Sequence, residues 1–157
     1  MAGGRLPRSI TVILGFAILG CTAVPRTPEE HARALFERYV ELGEKYDRAL
    51  LDLYSGDTRI RRFMLRGTGD TVWANAVDWP TYRAYALSRW EEARARGSRN
   101  RYEDVTYTLE GNGVRISMRR YQVPPGVWLG LVLWVWPDAD SVWLIRQEIA
   151  QLPAGRR

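Results

Sequence analysis

Apolar residues recur at helical spacing in the part of the chain that follows residue 26. A helix start is predicted at Thr27, because Thr27 can cap the helix and Glu30 completes a capping box. Apolar positions on one face then continue this helix to about residue 42. A second, short helix is predicted at 47–54 and a third at 80–96.

Polar and apolar residues alternate along 58–65, and this strand pattern dominates the chain from residue 102 onward. A Gly-rich turn after the first alternating segment predicts that 71–76 pairs back on it. Short connections between the later segments predict an antiparallel meander. The four strands predicted for this meander are 102–109, 114–123, 127–136 and 141–149.

These elements predict an α+β fold, in which about three N-terminal helices pack on one face of a curved antiparallel sheet of four to six strands. The strand 127–136 (VWLGLVLWVW) is apolar on both faces. One face can cover the helices, but the other needs a second cover, because large exposed apolar patches are rare on monomers. We expect a homodimer with the two sheets face to face, or alternatively a curled sheet that wraps around a cavity.

The N-terminal segment has the features of an export signal. Arg5 and Arg8 precede an apolar run at 10–20 that is too short to span a bilayer as a helix. The run ends in Ile-Leu-Gly followed by Cys21, which resembles the lipobox of bacterial lipoproteins. The resemblance implies a signal peptide at 1–20 that is removed and a lipid on the Cys21 thiol. An ordinary cleaved signal and an uncleaved N-terminal anchor are the alternatives.

The same resemblance predicts a location and a division of the chain. Several acyl chains on Cys21 would attach the protein stably to a membrane of the cell envelope. Thr22 in the following position favours the outer membrane, facing the periplasm, if the cell has two membranes. The chain is divided into the lipidated cysteine with its tether at 21–26, one domain at 27–152 and a tail at 153–157.

Composition and charge exclude several classes of function. The formal net charge of +5 falls to +3 without the two arginines of the signal, and basic residues are interleaved with acids. We therefore predict no nucleic acid partner, because such partners are bound by dense basic patches. The single Cys and the single His exclude a disulfide framework and a Cys/His zinc site. We predict no metal and no cofactor.

Three short motifs accompany this order of helices and strands. They are FERYV at 36–40, LYSGDTRI at 53–60 and WLI at 143–145. Together with the element order, they resemble the nuclear-transport-factor-2-like (NTF2-like) superfamily, which includes SnoaL-like and ketosteroid-isomerase-like proteins. The resemblance implies a cone-shaped half-barrel, often dimeric, with an apolar pocket between helices and sheet. It implies a fold more strongly than a function.

The catalytic positions of the ketosteroid-isomerase branch are only partly retained. Tyr39 matches the tyrosine that donates to the substrate oxyanion. Arg62 falls at the position of the general base, where a charged guanidinium cannot abstract a proton, and Val132 falls near the position of the oxyanion-hole acid. His31, in the first helical turn, is expected at the surface, which argues against a His–Asp site. We therefore assign no catalytic residue and favour a protein without enzymatic activity.

Seven residues are candidates for the lining of the pocket. A tyrosine would donate a hydrogen bond, two arginines would bind an acidic group of the ligand, and tryptophans would stack on it. Each has a structural alternative: a tyrosine at the edge of the core, arginines paired with acids such as Glu148 on the outer face, and tryptophans of the core or dimer interface. The candidates are Tyr39, Arg62, Trp73, Trp90, Arg120, Trp134 and Trp136.

Three functions fit these features. The favoured one is a membrane-anchored, non-enzymatic protein that binds a small, mostly apolar ligand, or a lipid or peptide, in its pocket. The second is an assembly subunit of an envelope complex that uses the apolar sheet face. The third is a SnoaL-like isomerase or dehydratase with a reassigned site. An open cavity favours the first, a pocket filled by its own tryptophans the second, and a buried carboxyl with a raised pKa the third.

Overall fold

The computed structural model describes residues 26–66 and 68–153. The predicted signal peptide at 1–20, Cys21 and most of the tether lie outside the described residues, as does the tail from residue 154 onward. The described part contains two α-helices, one short 3₁₀ helix and seven β-strands. The helices pack on one face of the sheet, as the sequence predicts.

The three helices form close to their predicted positions. Helix α1 (Pro28–Glu44) begins at the predicted capping box, where Thr27 N–H donates to Glu30 Oε2 at 2.6 Å and Glu30 N–H donates to Thr27 Oγ1 at 3.2 Å. The second is the 3₁₀ helix (Arg48–Leu53), and the third, α2 (Trp79–Ala95), lies within the strand order rather than before it. None of the helices in the described ranges is long and apolar enough to cross a membrane.

Seven strands form one sheet, where the sequence predicts four to six. They are β1 (Tyr54–Leu65), β2 (Thr71–Trp73), β3 (Val77–Asp78), β4 (Arg99–Glu110), β5 (Gly113–Val123), β6 (Val127–Pro137) and β7 (Trp143–Gln151). The order is β2-β1-β7-β6-β5-β4, with β3 also paired to β1. The sheet is mixed, because β1 runs parallel to β7. The predicted all-antiparallel sheet is wrong here, since short turns fix the direction only of strands that follow each other in the chain.

The parallel pair of strands is irregular near its start. Tyr54 of β1 pairs with Ile145 of β7, but the next pair joins Arg59 to Gln147, so β1 carries extra residues between these two pairs. In turn, β7 carries one extra residue, Arg146, relative to its other neighbour β6. Such bulges bend a strand and turn its side chains. The extra residue of β7 reverses which alternate positions face the helices beyond this point.

Side chains from the two bulged segments hold each other in place. Arg146 Nη1 donates to Ser55 Oγ at 2.7 Å and to Asp57 Oδ1 at 2.8 Å. Hydrogen bonds from Ser55 and then from Arg146 lower the pKa of the Asp57 carboxyl. The buried Thr58 hydroxyl lies 2.6 Å from the carbonyl oxygen of Ile145 and donates to it across the strands. The irregular region is therefore ordered by specific polar contacts.

The core lies between the helices and one face of the sheet. Alternate residues of β6, from Leu131 to Val135, are buried there in one cluster with Leu35 and Phe36 of α1. Their removal from water is the main source of stability for such a layer. The opposite face of the sheet, termed the outer face, carries half-buried side chains of β6, which are Trp128, Val132, Trp134 and Trp136.

Charged side chains of neighbouring strands cover part of the outer face. Trp134 Nε1–H donates to Glu110 Oε2 at 2.8 Å. The guanidinium carbon of Arg119 lies 4.7 Å from the centre of the Trp128 ring, a cation–π contact. Side chains of the sheet itself thus cover part of the outer face, for which the sequence predicts a second copy of the chain as cover.

Candidate functional site

A cavity of about 170 Å³ opens between α2 and the strands β1, β5 and β7. It is termed the inner cavity. Arg62 of β1, Arg120 of β5 and Glu148 of β7 line its sheet side, and Tyr82 of α2 faces them. Three separate strands therefore bring three ionisable groups to one place on the face that the helices cover.

Glu148 is the most buried of these ionisable side chains, with 3% of its surface exposed. The bulge in β7 turns it toward the helices, where it lies in register with Ile60 and Leu133. Tyr54 Oη donates to Glu148 Oε2 at 2.5 Å, and the Tyr54 ring stacks on Trp79 with ring centres 4.4 Å apart. A carboxyl so far from water needs such a donor, because burial of an unsatisfied polar group is costly.

Four tyrosines, of which Tyr39 and Tyr54 are buried and Tyr82 and Tyr102 half-buried, surround these charges and keep their protons. The nearby Glu148 carboxylate, together with burial, raises the pKa of Tyr82 to about 12. Burial raises the pKa of Tyr102 to about 12 and raises the pKa values of Tyr39 and Tyr54 well above their usual range. At neutral pH all four hydroxyls are therefore hydrogen-bond donors.

Arg62 and Arg120 carry positive charge into the inner cavity. The guanidinium carbon of Arg62 lies 5.2 Å from the centre of the Tyr82 ring. Arg120 Nε is buried without a hydrogen-bond partner. Burial opposes the charge on Arg120, but the neighbouring Tyr39 and Glu148 outweigh it, so its pKa is raised and the group stays protonated. Within the described ranges, neither arginine forms an ion pair with a carboxylate.

A second cavity of about 240 Å³ adjoins the inner cavity and shares Arg62, Tyr82 and Tyr85 with it. It is termed the adjoining cavity. Val77 and Thr81 complete its wall, which is mostly apolar. The two cavities together offer a charged end and an apolar end to one ligand.

A larger groove of about 520 Å³ lies between α1 and the first part of β4. Phe36 and Val40 form part of its apolar wall. Its charged lining residues, Glu44, Arg99 and Arg101, are all exposed. Because water already solvates these charges, they interact with a ligand more weakly than the less exposed charges of the inner cavity do.

Solved structures with the same arrangement of helices and sheet identify the architecture. An NTF2-like protein of unknown function from Pseudomonas putida KT2440 matches with a TM-score of 0.58 and 14% identity, over 82% of this chain and 89% of that chain. The fold is NTF2-like. An NTF2-like protein with a cystatin-like fold from Novosphingobium aromaticivorans matches with a TM-score of 0.54 and 17% identity, over 82% of this chain and 84% of that one.

Another NTF2-like protein of unknown function, from Shewanella oneidensis MR-1, has a TM-score of 0.57 and 12% identity, over 80% of this chain and all of that one. No model of a protein family and no curated protein matches the sequence. At such identities the likeness shows the fold alone, and function has to be argued from the site.

The NTF2-like fold brings together three of the seven predicted pocket residues. Arg62 and Arg120 line the inner cavity. Tyr39 is buried close by and packs against Tyr102, with ring centres 6.1 Å apart. The predicted hydrogen-bond donor and the two predicted charges thus belong to one cluster.

The four predicted tryptophans lie elsewhere in the NTF2-like fold. Trp134 and Trp136 are on the outer face, and Trp73 of β2 is 48% exposed. Trp90 of α2 donates its indole N–H to the carbonyl oxygen of Tyr46 at 2.8 Å, at the edge of the core. The aromatic wall of the inner cavity comes instead from tyrosines of α2.

Four residues of the cluster were not among the candidates, namely Glu148, Tyr54, Tyr82 and Tyr102. Regular alternation along the last strand predicts that Glu148 lies on the outer face, where it is a candidate ion-pair partner of Arg120. The bulge in β7 turns Glu148 to the face that the helices cover. The tyrosines stand at positions that the sequence marks only as core. A sequence signal does exist for them, because tyrosine is chosen over phenylalanine where a buried hydroxyl has a partner.

Two further positions weighed for a catalytic role, Val132 and His31, also lie outside the cavity. Val132 is on the outer face, in register with Ser117 and Ile149, so its neighbours Leu131 and Leu133 are the residues that face the helices. His31 is half-buried and stacks on Trp143, with ring centres 5.2 Å apart. Within the described ranges, no group of three acidic, histidine or cysteine side chains is arranged to hold a metal ion.

Proposed function

We propose that this NTF2-like protein is held at the cell envelope by a lipid on Cys21 and binds a small, mostly apolar ligand in the inner and adjoining cavities. The observation that carries this proposal is a pair of adjoining cavities, one lined by charged side chains and the other by a mostly apolar wall. No tryptophan is among the lining residues of either cavity. The one carboxyl that lines the inner cavity, Glu148, is already engaged by Tyr54, which favours binding over catalysis.

Native mass spectrometry of the full chain, extracted from its host's envelope in a mild non-ionic detergent, tests the binding function. We expect a fraction of the protein to carry one small-molecule adduct. Thr81→Trp places a large ring in the adjoining cavity and should abolish the adduct, whereas Ser88→Trp, on an exposed position of the same helix, should keep it. Adduct-free protein, or an adduct that Thr81→Trp leaves in place, would contradict the proposal.

The lipid anchor is supported by the sequence alone, through the lipobox-like segment that ends at Cys21. Cys21 lies outside the described residues. Metabolic labelling with a palmitate analogue should mark the protein, and Cys21→Ala should remove both the label and the attachment to membranes. Thr22→Ala changes the adjacent residue and should keep both. In a cell with two membranes we expect the protein in the outer-membrane fraction. Labelled or membrane-bound Cys21→Ala protein would show that the anchor is wrong.

A second candidate function is self-association or assembly of an envelope complex through the outer face. The half-buried apolar side chains of β6 favour it, because no helix of the described ranges covers them. The native spectrum described above also reports this, since a homodimer doubles the mass. Val132→Glu places a charge in the middle of the outer face and should give monomers, whereas Val142→Glu, at an exposed turn, should not. Monomeric wild-type protein would contradict the predicted homodimer.

A further inference from the structure

The charges around the inner cavity do not balance. Arg62 and Arg120 contribute two positive charges, and Glu148 is the one acid among the lining residues. Arg120 Nε is buried without a partner, and within the described ranges neither guanidinium forms an ion pair. Buried charge without a partner is costly, so the cavity is left with one positive charge that a bound group can neutralise.

The charged side chains of the cavity wall also present more hydrogen-bond donors than acceptors, since two are guanidinium groups and one is a carboxyl. Tyr82 keeps its proton and lines the inner cavity, and Tyr39 and Tyr102 lie beside Arg120 behind the wall. The Tyr54 hydroxyl is already used by the carboxyl. Guanidinium groups have only donors. A ligand group that meets this wall must therefore supply acceptors, and ionised oxygen acceptors make the strongest hydrogen bonds with arginine.

We propose that the ligand is a monocarboxylic acid with a short apolar body, an inference that rests on the ligand-binding function proposed above. Its carboxylate lies between Arg62 and Arg120 in the inner cavity, and its apolar body occupies the adjoining cavity beside Val77 and Tyr85. One negative charge cancels the excess positive charge. A dianion such as sulfate would leave a surplus negative charge next to Glu148, which is repulsive at low dielectric.

Calorimetric titration of the full chain with hexanoate and with hexanamide tests this assignment, because the two probes share their apolar body and differ in charge. We expect hexanoate to bind at least about tenfold more tightly, the effect of one charge-assisted hydrogen bond. Sulfate should not displace it. Equal affinities for the two probes, no binding of hexanoate, or displacement by sulfate would each overturn the carboxylate assignment.

Variants of the arginines locate the effect. Arg62→Met should remove the preference for hexanoate, whereas Arg59→Met, on the outer face of the same strand, should keep it. Arg120→Met should also remove the preference for hexanoate. If the Arg120→Met variant does not fold, the result for Arg62→Met decides the question. An unchanged preference in Arg62→Met would overturn the proposal. Ligand binding itself is tested separately, by the adduct in the native mass spectrum and by the affinity for hexanamide. If the cavities bind hexanamide as tightly as hexanoate, the carboxylate assignment is wrong but the ligand-binding function stands.

Discussion

The hydrogen bond between Tyr54 and Glu148 joins two side chains that have almost no contact with water. Each depends on the other, because a buried hydroxyl or carboxyl without a partner loses its hydration and gains nothing in return. Trp79 holds the Tyr54 ring in place by stacking. The position of Glu148 under the inner cavity is therefore fixed from β1 and from α2.

Removal of the Tyr54 hydroxyl tests this dependence. Tyr54→Phe keeps the ring but leaves the Glu148 carboxyl without its donor, so we expect the free energy of unfolding to fall by about 1–3 kcal/mol. Tyr85→Phe, on a side chain that is 54% exposed, should change it by less than about 0.5 kcal/mol. Denaturant unfolding measures both. Equal losses for the two variants would mean that the hydrogen bond contributes nothing.

The raised pKa values of Tyr82 and Tyr102 predict sensitivity to alkaline pH. An unfolded tyrosine loses its proton near pH ~10, whereas these two keep it to about 12 in the folded protein. Between these values the unfolded chain binds fewer protons than the folded chain, so stability falls as pH rises. We expect the full contribution below about pH 10 and its loss by about pH 12.

Unfolding midpoints at a series of pH values, together with tyrosinate absorbance, measure this effect. Tyr82→Phe removes one of the two groups and should make the decline less steep. A decline of the same steepness in the variant, or tyrosinate formation complete well below the unfolding pH, would contradict the assignment of Tyr82.

At the scale of elements, the bulges of β1 and β7 decide which side chains reach the cavity. Sequence patterns predict where the strands lie, because alternation persists along each of them. They do not predict Glu148 at the cavity, because one extra residue near Arg146 shifts the alternation. Neither the residue types nor their spacing in this segment indicates a bulge. Arg62 and Arg120 were predictable because their strands are regular where they stand.

Thr58 tests the importance of the bulge. Its hydroxyl lies within 2.7 Å of the carbonyl oxygens of Ser55 and Ile145. Thr58→Val keeps the shape but leaves these acceptors without their donor, so we expect a loss of about 1–3 kcal/mol in the free energy of unfolding. Thr108→Val, on an exposed position of β4, should have little effect. A neutral Thr58→Val would show that the bulge does not need this bond.

At the scale of the whole molecule, the sheet is centred on β7 and β6, with β2 and β4 at its two edges. Central strands open only when much of the sheet opens, whereas edges fray locally. We expect amide hydrogen exchange to be slowest in β6 and β7 and fast in β2. Exchange of β7 as rapid as that of β2 would contradict the parallel pairing of β1 with β7.

The overall class was predictable, and the connection that closes the sheet was not. Periodicity and short turns report on neighbours in sequence, so they predict the helices and the meander from β4 to β7. Pairing of β1 with β7 joins segments that are distant in the chain, and no local pattern encodes such a choice. The resemblance in motifs predicted the NTF2-like fold, but the sheet expected with it was still antiparallel.

The position of β7 in the sheet affects how the protein folds during its synthesis. Among the described strands, β7 comes last in the sequence and lies between β1 and β6, so a growing chain cannot join β1 to the strands β4 to β6 before β7 is made. Pairing of β1 with β7 then forms contacts over a long sequence distance, which slows folding. Under the export proposed above, late pairing of β7 would keep this domain unfolded, which is the state in which a membrane channel can pass it.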